Sequence, residues 1–349
     1  ARTEYLSYDS EGRILAEAAT IDNTTARFDC TYDLAGRPAS KTITHDGSLY
    51  KTLNYAFYPG TRLLSTVSDA ANEAYTTISQ YSPQGKIEFL NHANGTMTHY
   101  TYDHATGRIE MIHSYNMTEA MVHKAYTYSP AGDVLKIENL RTGIDQVYYY
   151  DHLHRLISEQ SEGENAEDGT EVEIIEFTYA DEDDQDQPLH APVRTTVNGV
   201  PSDYTYTATG NRSSKSDGTT YVSNPDNMIA SITVNGAATQ FLYDADNIRV
   251  KKTRSHATTL YFARDFEIIN STPTLNLFAG NLRIAQISGQ DLEFFHKDHL
   301  NSTEAITCSD GTIIDLTTYL PYGMDRNTNA LLQSSSYKFT DQEQDEGTG

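Results

Sequence analysis

The residues best suited to chemistry lie near the end of the chain, in the stretch FFHKDHLNST. His296, Asp298 and His299 occur there within four positions, and imidazole and carboxylate groups are common ligands of zinc and other metal ions. The same residues are equally suited to form a strand and a turn whose polar groups fix a hairpin. Residue type alone leaves both interpretations open.

Two other clusters have side chains that bind metal ions in many proteins. His152 and His154 lie two residues apart and share one face of a strand, where we interpret them as surface hairpin residues. The acidic run DEDDQD at 181–186 offers carboxylate oxygens for calcium, but an EF-hand loop needs glycine at its sixth place and an acid at its twelfth. Asp186 and Pro192 occupy those places, so we predict a solvated loop.

Motifs of the common enzyme classes are absent from the sequence. No GxSxG, HExxH or P-loop pattern occurs, and the only Gly-x-Gly pair is Gly347 and Gly349. We therefore predict that this chain has no catalytic residues, binds no metal ion and needs no cofactor.

Composition argues against two kinds of partner. The 349 residues include 49 acidic and 25 basic side chains, and the resulting net charge of −24 repels nucleic acids and anionic membranes. No apolar run approaches the length of a membrane span, so membrane insertion is not expected. Cys30 and Cys308 are the two cysteines, and because no CxxC pattern occurs we expect free thiols rather than a zinc cluster.

A short phrase that begins with tyrosine recurs along the chain. The tyrosine, often followed by aspartate, precedes a glycine or asparagine and then often a basic and an aliphatic residue, as in YDSEGRI and YDLAGRP. The clear copies begin at Tyr8, Tyr32, Tyr81, Tyr102, Tyr128, Tyr150, Tyr206 and Tyr243. A loosely periodic repeat of this kind is typical of an array of similar supersecondary units.

Each copy of the phrase predicts a β-hairpin. In HYTYD, Tyr100 and Tyr102 share one face of a strand, and His99 and Thr101 share the other. Asp, Ser, Pro and Gly then favour a tight turn, after which a second strand begins. One hairpin is marginally stable in water, but hairpins laid side by side bury a continuous face and cover each other's edges. We predict an all-β chain of tandem hairpins in a long antiparallel sheet.

Two regions are predicted within this array. Residues 1–260 form the repeated hairpins, with acidic loops near 160–190 around the strand EVEIIEFTY, and residues 261–349 lose the regular repeat and are richer in aliphatic residues. The tyrosines have two interpretations, because exposed rings stack on sugars whereas buried rings pack across neighbouring strands. We favour packing, and both roles are compatible on opposite faces.

The repeated YDxxGR phrase resembles the YD repeats of the Rhs family. The stretch at 294–324, here named the core block, is similar to the family's pattern HxDHLGSTxxxTDxxGxxxxxxxYxPYG. The matching residues are Asp298, His299, Leu300, Ser302, Thr303, Asp310, Gly311, Pro321, Tyr322 and Gly323. Asn301 replaces the usual glycine, a change that a left-handed backbone position tolerates. YKFTDQEQDEGTG at 337–349 resembles FTGQERDxETG of the family, so the resemblance covers nearly the whole chain and favours a structural role for His296, Asp298 and His299.

The resemblance implies both a fold and a function. Rhs and YD-repeat proteins form a β-sheet strip that spirals into a hollow shell, and bacterial members, including the C component of ABC toxin complexes, enclose a C-terminal toxin. We therefore expect a non-catalytic shell segment whose partners are the toxin and other shell or secretion-system components. The alternative is adhesion or glycan binding through the tyrosine-rich face, since the related teneurins serve in cell adhesion.

The family's self-cleaving aspartyl site is expected to lie outside this chain. It belongs to a DPxG-type motif that follows a Tyr/Arg-rich stretch, and none of the ten prolines here follows an aspartate. A third hypothesis, an autoprotease, would therefore have its chemistry downstream of Gly349. Because the chain begins at Ala1 inside a repeat, we expect a piece of a longer bacterial protein that is secreted or displayed at the cell surface, with its export signal elsewhere.

Overall fold

A computed structural model describes residues 1–165, 169–180, 188–328 and 335–345. Within these residues the chain forms a sheet of 30 strands, interrupted by two short 3-10 turns and no α-helix. Every strand pairs antiparallel with the strand that follows it in sequence, from the first to the last. The predicted all-β fold of tandem antiparallel hairpins is confirmed.

The strands fall into three consecutive stretches of this meander. The first is β1 (Arg2–Tyr8), β2 (Ile14–Ile21), β3 (Thr24–Tyr32), β4 (Pro38–His45), β5 (Ser48–Phe57), β6 (Leu64–Ser68), β7 (Ala74–Tyr81), β8 (Ile87–His92), β9 (Met97–Tyr102) and β10 (Ile109–Tyr115). The second is β11 (Ala120–Tyr128), β12 (Val134–Asn139), β13 (Ile144–Tyr150), β14 (Leu156–Asn165), β15 (Gly169–Tyr179), β16 (Pro192–Val197), β17 (Val200–Tyr206), β18 (Arg212–Lys215), β19 (Thr220–Ser223) and β20 (Ile229–Val234). The third is β21 (Ala237–Tyr243), β22 (Arg249–Arg254), β23 (Ala257–Ala263), β24 (Phe266–Ile269), β25 (Thr272–Ala279), β26 (Leu282–Ser288), β27 (Asp291–Lys297), β28 (Thr303–Cys308), β29 (Ile313–Tyr319) and β30 (Asp325–Thr328). The 3-10 turns are Pro321–Gly323 and Phe339–Asp341.

Two kinds of turn alternate along the meander, and each kind lies at its own edge of the ribbon. The repeat phrases, here called YD turns, join β1 to β2 and β3 to β4, and later pairs in the same way. The opposite edge includes two-residue turns with positive φ at both positions, such as Asp46 (44°) with Gly47 (81°) and Asn235 (51°) with Gly236 (80°), and several longer turns. Asp-Gly and Asn-Gly favour such turns because their backbone twist matches that of the flanking strands.

The ribbon folds back on itself, so that strands β2–β8 share a core with strands β23–β27. Phe28 of β3 and Ile43 of β4 pack in one cluster with Phe266 of β24 and Phe294 of β27, and all four are buried. The rings of Phe28 and Phe266 meet nearly edge to face, with centroids 6.0 Å apart. Burial of each large side chain contributes about 1.5–3 kcal/mol, so this contact stabilises the folded-back arrangement of the ribbon.

The core block packs against the middle of the same sheet. Leu320, directly after β29, is buried against Ile175 and Phe177 of β15. Arg326 of β30 forms ion pairs with Glu159 of β14, which is fully buried, and with Glu173 of β15 (2.6 Å). The end of the core block and β30 therefore pack against β14 and β15.

The acidic region near 160–190 differs in part from the predicted loops. Residues 156–165 and 169–179 form a strand pair whose register runs from Ser158 opposite Glu176 to Asn165 opposite Gly169. Backbone pairing requires no apolar side chain, so an acidic hairpin extends the ladder where sequence polarity indicates a loop. The proposed calcium-binding run at 181–186 lies outside the described residues.

Candidate functional site

Each YD turn is closed by the side chain that follows the tyrosine. Oδ1 of Asp33 accepts hydrogen bonds from the backbone N–H of Ala35 (2.8 Å) and Arg37 (3.0 Å), and Oδ2 accepts one from Nε of Arg37 (2.6 Å). These bonds, the Arg37 side chain first, lower the pKa of Asp33 below its ordinary value. Gly36 supplies the positive φ of 75°. The same pair of backbone hydrogen bonds recurs in the turns at Asp9, Asp151, Asn224, Asp244 and Asp298, and also at Asp69 in the turn between β6 and β7 on the opposite edge. The aspartates of the phrase therefore close turns, as predicted.

The tyrosine of each repeat clamps its hairpin to the preceding one. Tyr102 ends β9 and donates a hydrogen bond to the backbone carbonyl of Ile87 (2.9 Å), the first residue of the strand that leaves the preceding YD turn. Equivalent bonds are made by Tyr32, Tyr81, Tyr128, Tyr150, Tyr206 and Tyr243, and by Tyr179 and Tyr319, which the sequence analysis did not count as repeats. Tyr8, on the edge strand β1, is 52% exposed and has no such acceptor in the described part of the chain. The contacts favour packing, and glycan binding stays a prediction.

The basic residue of the phrase links one YD turn to the next. Arg13 pairs with Asp9 in its own turn (2.5 Å), and its guanidinium carbon lies 4.6 Å from the ring centroid of Tyr32 in the next repeat. Arg155 is placed 4.5 Å from the ring of Tyr179 in the same way. A cation over an aromatic face contributes about 0.5–1 kcal/mol at exposed sites. Tyrosine, aspartate, glycine and arginine of the phrase therefore cross-link the turns along one edge.

The core block contains a further turn of this kind, and it is buried. Oδ1 of Asp298 accepts hydrogen bonds from the backbone N–H of Leu300 (2.8 Å) and Ser302 (2.7 Å). Asn301 has a φ of 67°, so its predicted left-handed conformation is confirmed. Asp298 is 8% exposed and Ser302 is fully buried, whereas Leu300 is 46% exposed. The stretch from His296 to Ser302 is the end of β27 and the turn into β28.

Asp310 and Gly311 form the turn between β28 and β29. Oδ1 of Asp310 accepts hydrogen bonds from Sγ of Cys308 (2.9 Å) and from the backbone N–H of Thr312 (2.9 Å), and these lower the pKa of Asp310 to about 2. A Cβ atom on Gly311, where φ is 86°, would lie 2.9 Å from the carbonyl oxygen of Asn94. Nδ2 of Asn94 also donates to the carbonyl of Cys308 (2.9 Å). The turn therefore packs closely against the loop between β8 and β9 and is hydrogen-bonded to it.

Pro321–Gly323 forms the tight turn after β29. Tyr322 has a φ of 66°, and Gly323 has a φ of 96°. A Cβ atom on Gly323 would lie 2.7 Å from Cδ1 of Phe339, so a larger residue has no room there. The hydroxyl of Tyr322 lies 2.9 Å from that of Tyr179. The turn therefore joins the end of the chain to the hairpin array.

The last described segment is held by buried cations of the core strands. Nζ of Lys297 (2.8 Å) and Nε of Arg283 (2.9 Å) both bind Oδ1 of Asp341, and the exposed fractions of the two basic residues are 1% and 4%. Burial lowers the pKa of Lys297 to about 8, while the carboxylate of Asp341 acts in the opposite direction. The hydroxyl of Thr303 donates to the carbonyl of Tyr337 (2.6 Å). Ser302 and Thr303 of the core block thus position the segment that follows it.

A second set of buried charges lies where the core block meets the array. Lys124 of β11 forms an ion pair with Glu304 of β28, and the two residues are 5% and 6% exposed. Burial raises the pKa of Asp298 and of Glu304, and the charge of Lys124 lowers both. Burial, followed by the charge of Lys124, lowers the pKa of His299 to about 4. The ammonium group of Lys124 therefore acts on the carboxyl groups of both Asp298 and Glu304, and the neighbouring imidazole of His299 is neutral.

A cavity of about 540 Å³ adjoins this charge cluster. Its walls include the rings of Tyr148, Tyr150, Tyr179, Tyr319 and Tyr322. Its polar wall includes Lys124, Asp298, His299 and Glu304, together with Gln146, His154, Arg155 and His190. Backbone hydrogen bonds fix three of the rings, those of Tyr150, Tyr179 and Tyr319. Ligand sites in proteins typically occupy 300–1,000 Å³ and combine aromatic walls with a few converging polar groups, so this cavity is the candidate binding site.

Two further histidines are buried side by side in the shared core. Nδ1 of His92 lies 2.9 Å from the hydroxyl of Thr76, and Nε2 of His296 lies 3.0 Å from the hydroxyl of Thr307. The two rings are nearly perpendicular, with centroids 5.5 Å apart. Burial lowers the pKa of His296 to about 3 and that of His92 well below its ordinary value. Both rings are therefore neutral in the folded protein near neutral pH.

The structure brings only part of the predicted set together. Asp298, His299, Leu300, Pro321 and Tyr322 line one cavity. Of the other predicted residues, Asp310, Gly311 and Gly323 lie in turns, whereas Ser302 and Thr303 contact the segment at 337–340. His154 lies in a YD turn with a φ of 60°, and its Nδ1 is 3.0 Å from Oδ2 of Asp133. Cys30 and Cys308 are free and half-buried, as predicted.

Sequence reasoning missed the buried cations. Lys124 occupies the face of β11 that also carries Val122 and Tyr126, both buried. The signal that could have revealed it is a lysine at a position where the alternation of apolar and polar residues along the strand predicts a buried side chain. The partner Glu304 had no local signal, because its role depends on a strand 180 positions away.

Comparison with known proteins gives matches among solved structures. No protein-family model and no curated protein matches the chain. A crystal structure of TcdB2-TccC3 superposes with a TM-score of 0.80 at 16% identity, over 99% of this chain and 22% of that one. A Photorhabdus luminescens Tc holotoxin pore with a mutated TccC3 gives a TM-score of 0.80 at 16% identity, over 99% and 21%. A TcdB2-TccC3-Cdc42 structure gives 0.73 at 16% identity, over 98% and 21%.

The chain has the Rhs/YD-repeat fold of these toxin structures. The resemblance seen in the sequence motifs is thereby confirmed at the level of the fold. This YD-repeat segment spans about a fifth of the length of the chains it matches. None of its described residues belongs to a helix with the length and apolarity that a bilayer crossing demands.

Proposed function

We propose that this YD-repeat segment is a non-catalytic part of the wall of a bacterial toxin shell, which encloses a C-terminal toxin polypeptide. The observation that supports it best is the superposition of 99% of the chain on the TcdB2-TccC3 toxin structure with a TM-score of 0.80. Other shell or secretion-system components are the expected partners, and the parent protein is expected to be secreted or displayed at the cell surface.

The strand order suits a continuous wall. Each strand covers the edge of its neighbour, so the 30-stranded sheet exposes hydrogen-bonding edges only at its ends among the described residues. Neighbouring strands are about 4.8 Å apart, which gives a ribbon of roughly 140 Å along its curve. The Tyr–carbonyl clamps and the Arg–Tyr contacts reinforce the edge that carries the YD turns. A long, continuous and laterally clamped ribbon is the geometry that containment needs.

Protease protection tests this proposal directly. The parent protein, expressed with its downstream sequence, is treated with a protease under native conditions and again after acid or urea has opened the shell. We expect the downstream polypeptide to resist cleavage in the native protein and to be digested rapidly once the shell opens. The same polypeptide expressed alone serves as the control and should be digested without a lag. Equal digestion of the enclosed and free polypeptides would contradict enclosure.

A further inference from the structure

The buried ionisable groups beside the cavity include more acids than bases that pair with them. Asp298 and Glu304 are 8% and 6% exposed, and Lys124 is the basic residue that faces both. The guanidinium group of the cavity wall, Arg155, is already paired with Asp151 at 2.6 Å. Nδ1 of His154 lies 3.0 Å from Oδ2 of Asp133, and His190 also lines the cavity. His299 is neutral, since burial lowers its pKa to about 4. The cavity wall therefore combines two buried carboxyl groups with one buried ammonium group, and that ammonium group is paired with Glu304.

The remaining walls are suited to an organic cation. Five tyrosine rings surround the space, and aromatic faces attract ammonium groups through the quadrupole of the ring. A volume of about 540 Å³ accommodates an alkyl chain as well as its charged end. Among the described residues there is no group of three His, Cys, Asp or Glu side chains arranged to hold a metal ion. Size and donor set therefore favour an alkylammonium group over an inorganic ion.

We propose that this cavity binds an alkylammonium group, with Asp298 and Glu304 as its counter-charges and the tyrosine rings as its walls. Two sources share this chemistry: a lysine side chain of a polypeptide and a free polyamine. The proposal does not depend on the proposed function, because it concerns charges and space within this chain alone.

The decisive variant removes one charge and keeps the turn. In Asp298→Asn the amide oxygen still accepts the two backbone hydrogen bonds, because Asn224 does so at an equivalent turn with Asp226 (3.0 Å) and Met228 (2.9 Å). Lys124 keeps its partner Glu304, so no buried cation is left unpaired. A second variant, Leu300→Trp, fills the mouth of the cavity without changing any charge, since Leu300 lines the cavity and is 46% exposed.

Isothermal titration calorimetry of the whole chain tests the proposal. The probes are n-butylammonium, spermidine, an acetylated lysine methylamide with a free side-chain amine, and n-butanol as the uncharged analogue. We expect saturable binding of at least one ammonium probe, no binding of butanol, and at least tenfold weaker binding to both D298N and L300W. Preference for the lysine derivative or for spermidine identifies the source.

A surface variant controls for non-specific attraction to an acidic protein. Glu11→Gln removes one charge from a side chain that is 67% exposed, and its affinity for the ammonium probes should match that of the wild-type chain. Circular dichroism checks that every variant is folded. Absence of ammonium binding to the wild-type chain, or equal affinity of D298N and E11Q, would overturn the proposal.

Discussion

The tyrosine clamp can be tested by removing one oxygen atom. In Tyr102→Phe the ring remains packed and keeps its contact with Lys86, whose Nζ lies 5.1 Å from the ring centroid. Only the hydrogen bond to the carbonyl of Ile87 (2.9 Å) is lost. The substitution therefore isolates the connection between one hairpin and the preceding one.

The expected loss follows from the burial of this bond. A hydrogen bond inside a protein contributes about 0.5–1.5 kcal/mol net, and an acceptor left without a partner costs more when it is buried. The ring of Tyr102 is half-buried, and burial raises its pKa to about 12, so the bond is shielded from water. We expect Tyr102→Phe to lower the free energy of unfolding by about 1 kcal/mol.

Equivalent clamps should act independently. Tyr32 and Tyr102 end β3 and β9, which are six strands, or about 29 Å, apart along the ribbon. Effects of substitutions at such distances usually add. The double variant Y32F/Y102F should therefore lose about 2 kcal/mol, twice the single loss.

Urea unfolding followed by circular dichroism measures these differences. Tyr8→Phe is the matched control, because Tyr8 has the same place in its repeat, is 52% exposed and makes no clamp within the described chain. It should change the free energy of unfolding by less than about 0.5 kcal/mol. Equal losses in Y102F and Y8F would refute the clamp, and so would a Y32F/Y102F loss no larger than the single one.

Three further predictions concern the core block. Gly323→Ala should lower the free energy of unfolding by about 2 kcal/mol or more, because a Cβ atom there would lie 2.7 Å from the ring of Phe339. The control is Gly60→Ala: Gly60 also has a positive φ (70°) but open space around it, so the free energy of unfolding should fall less in the same urea assay. Lys124→Met should cost about 3–5 kcal/mol by leaving Glu304 buried without its partner, and adding Glu304→Gln should restore most of it. Burial lowers the pKa of His296 to about 3 in the folded protein, whereas the ring has a pKa of about 6.5 when the chain is unfolded. As the pH falls from about 6.5 toward 3, the unfolded state therefore binds a proton that the folded state does not, and the free energy of unfolding decreases. By pH 5 the loss from this ring is about 2 kcal/mol, and His296→Asn should remove that part of the pH dependence of the urea midpoint.

For each of these three predictions, one result would contradict the reasoning. Equal losses in G323A and G60A would show that the Phe339 contact is not restrictive. A K124M/E304Q variant no more stable than K124M would show that the cost does not come from the unpaired carboxylate. An unchanged slope of stability against pH in H296N would show that this ring does not titrate on unfolding.

The hairpin array could be predicted from the sequence because its determinants are local. Tyr, Asp, Gly and Arg of the phrase each contact residues of the same or the adjacent hairpin, as in the bonds of Asp33 to Ala35 and Arg37. Asn301 likewise takes the backbone conformation that its place in the motif requires. Contacts between residues that are close in sequence can be inferred from a short motif, and the repeated copies of this motif all support the same inference.

The folding back of the ribbon and the charge cluster could not be predicted in this way. Phe28 packs on Phe266, and Lys124 pairs with Glu304, across most of the chain. Such contacts depend on the accumulated twist and bend of many strands, which no short pattern encodes. The acidic hairpin at 156–179 differed from prediction for another reason, since its ladder is stabilised by backbone pairing that is independent of side-chain polarity.

Cryo-electron microscopy of the complete parent protein tests the central claim most directly. We expect a hollow particle in whose wall the 30 strands form one curved ribbon, with density for the downstream polypeptide on the inner side. A compact particle without an interior space, or a downstream polypeptide located outside the wall, would contradict it.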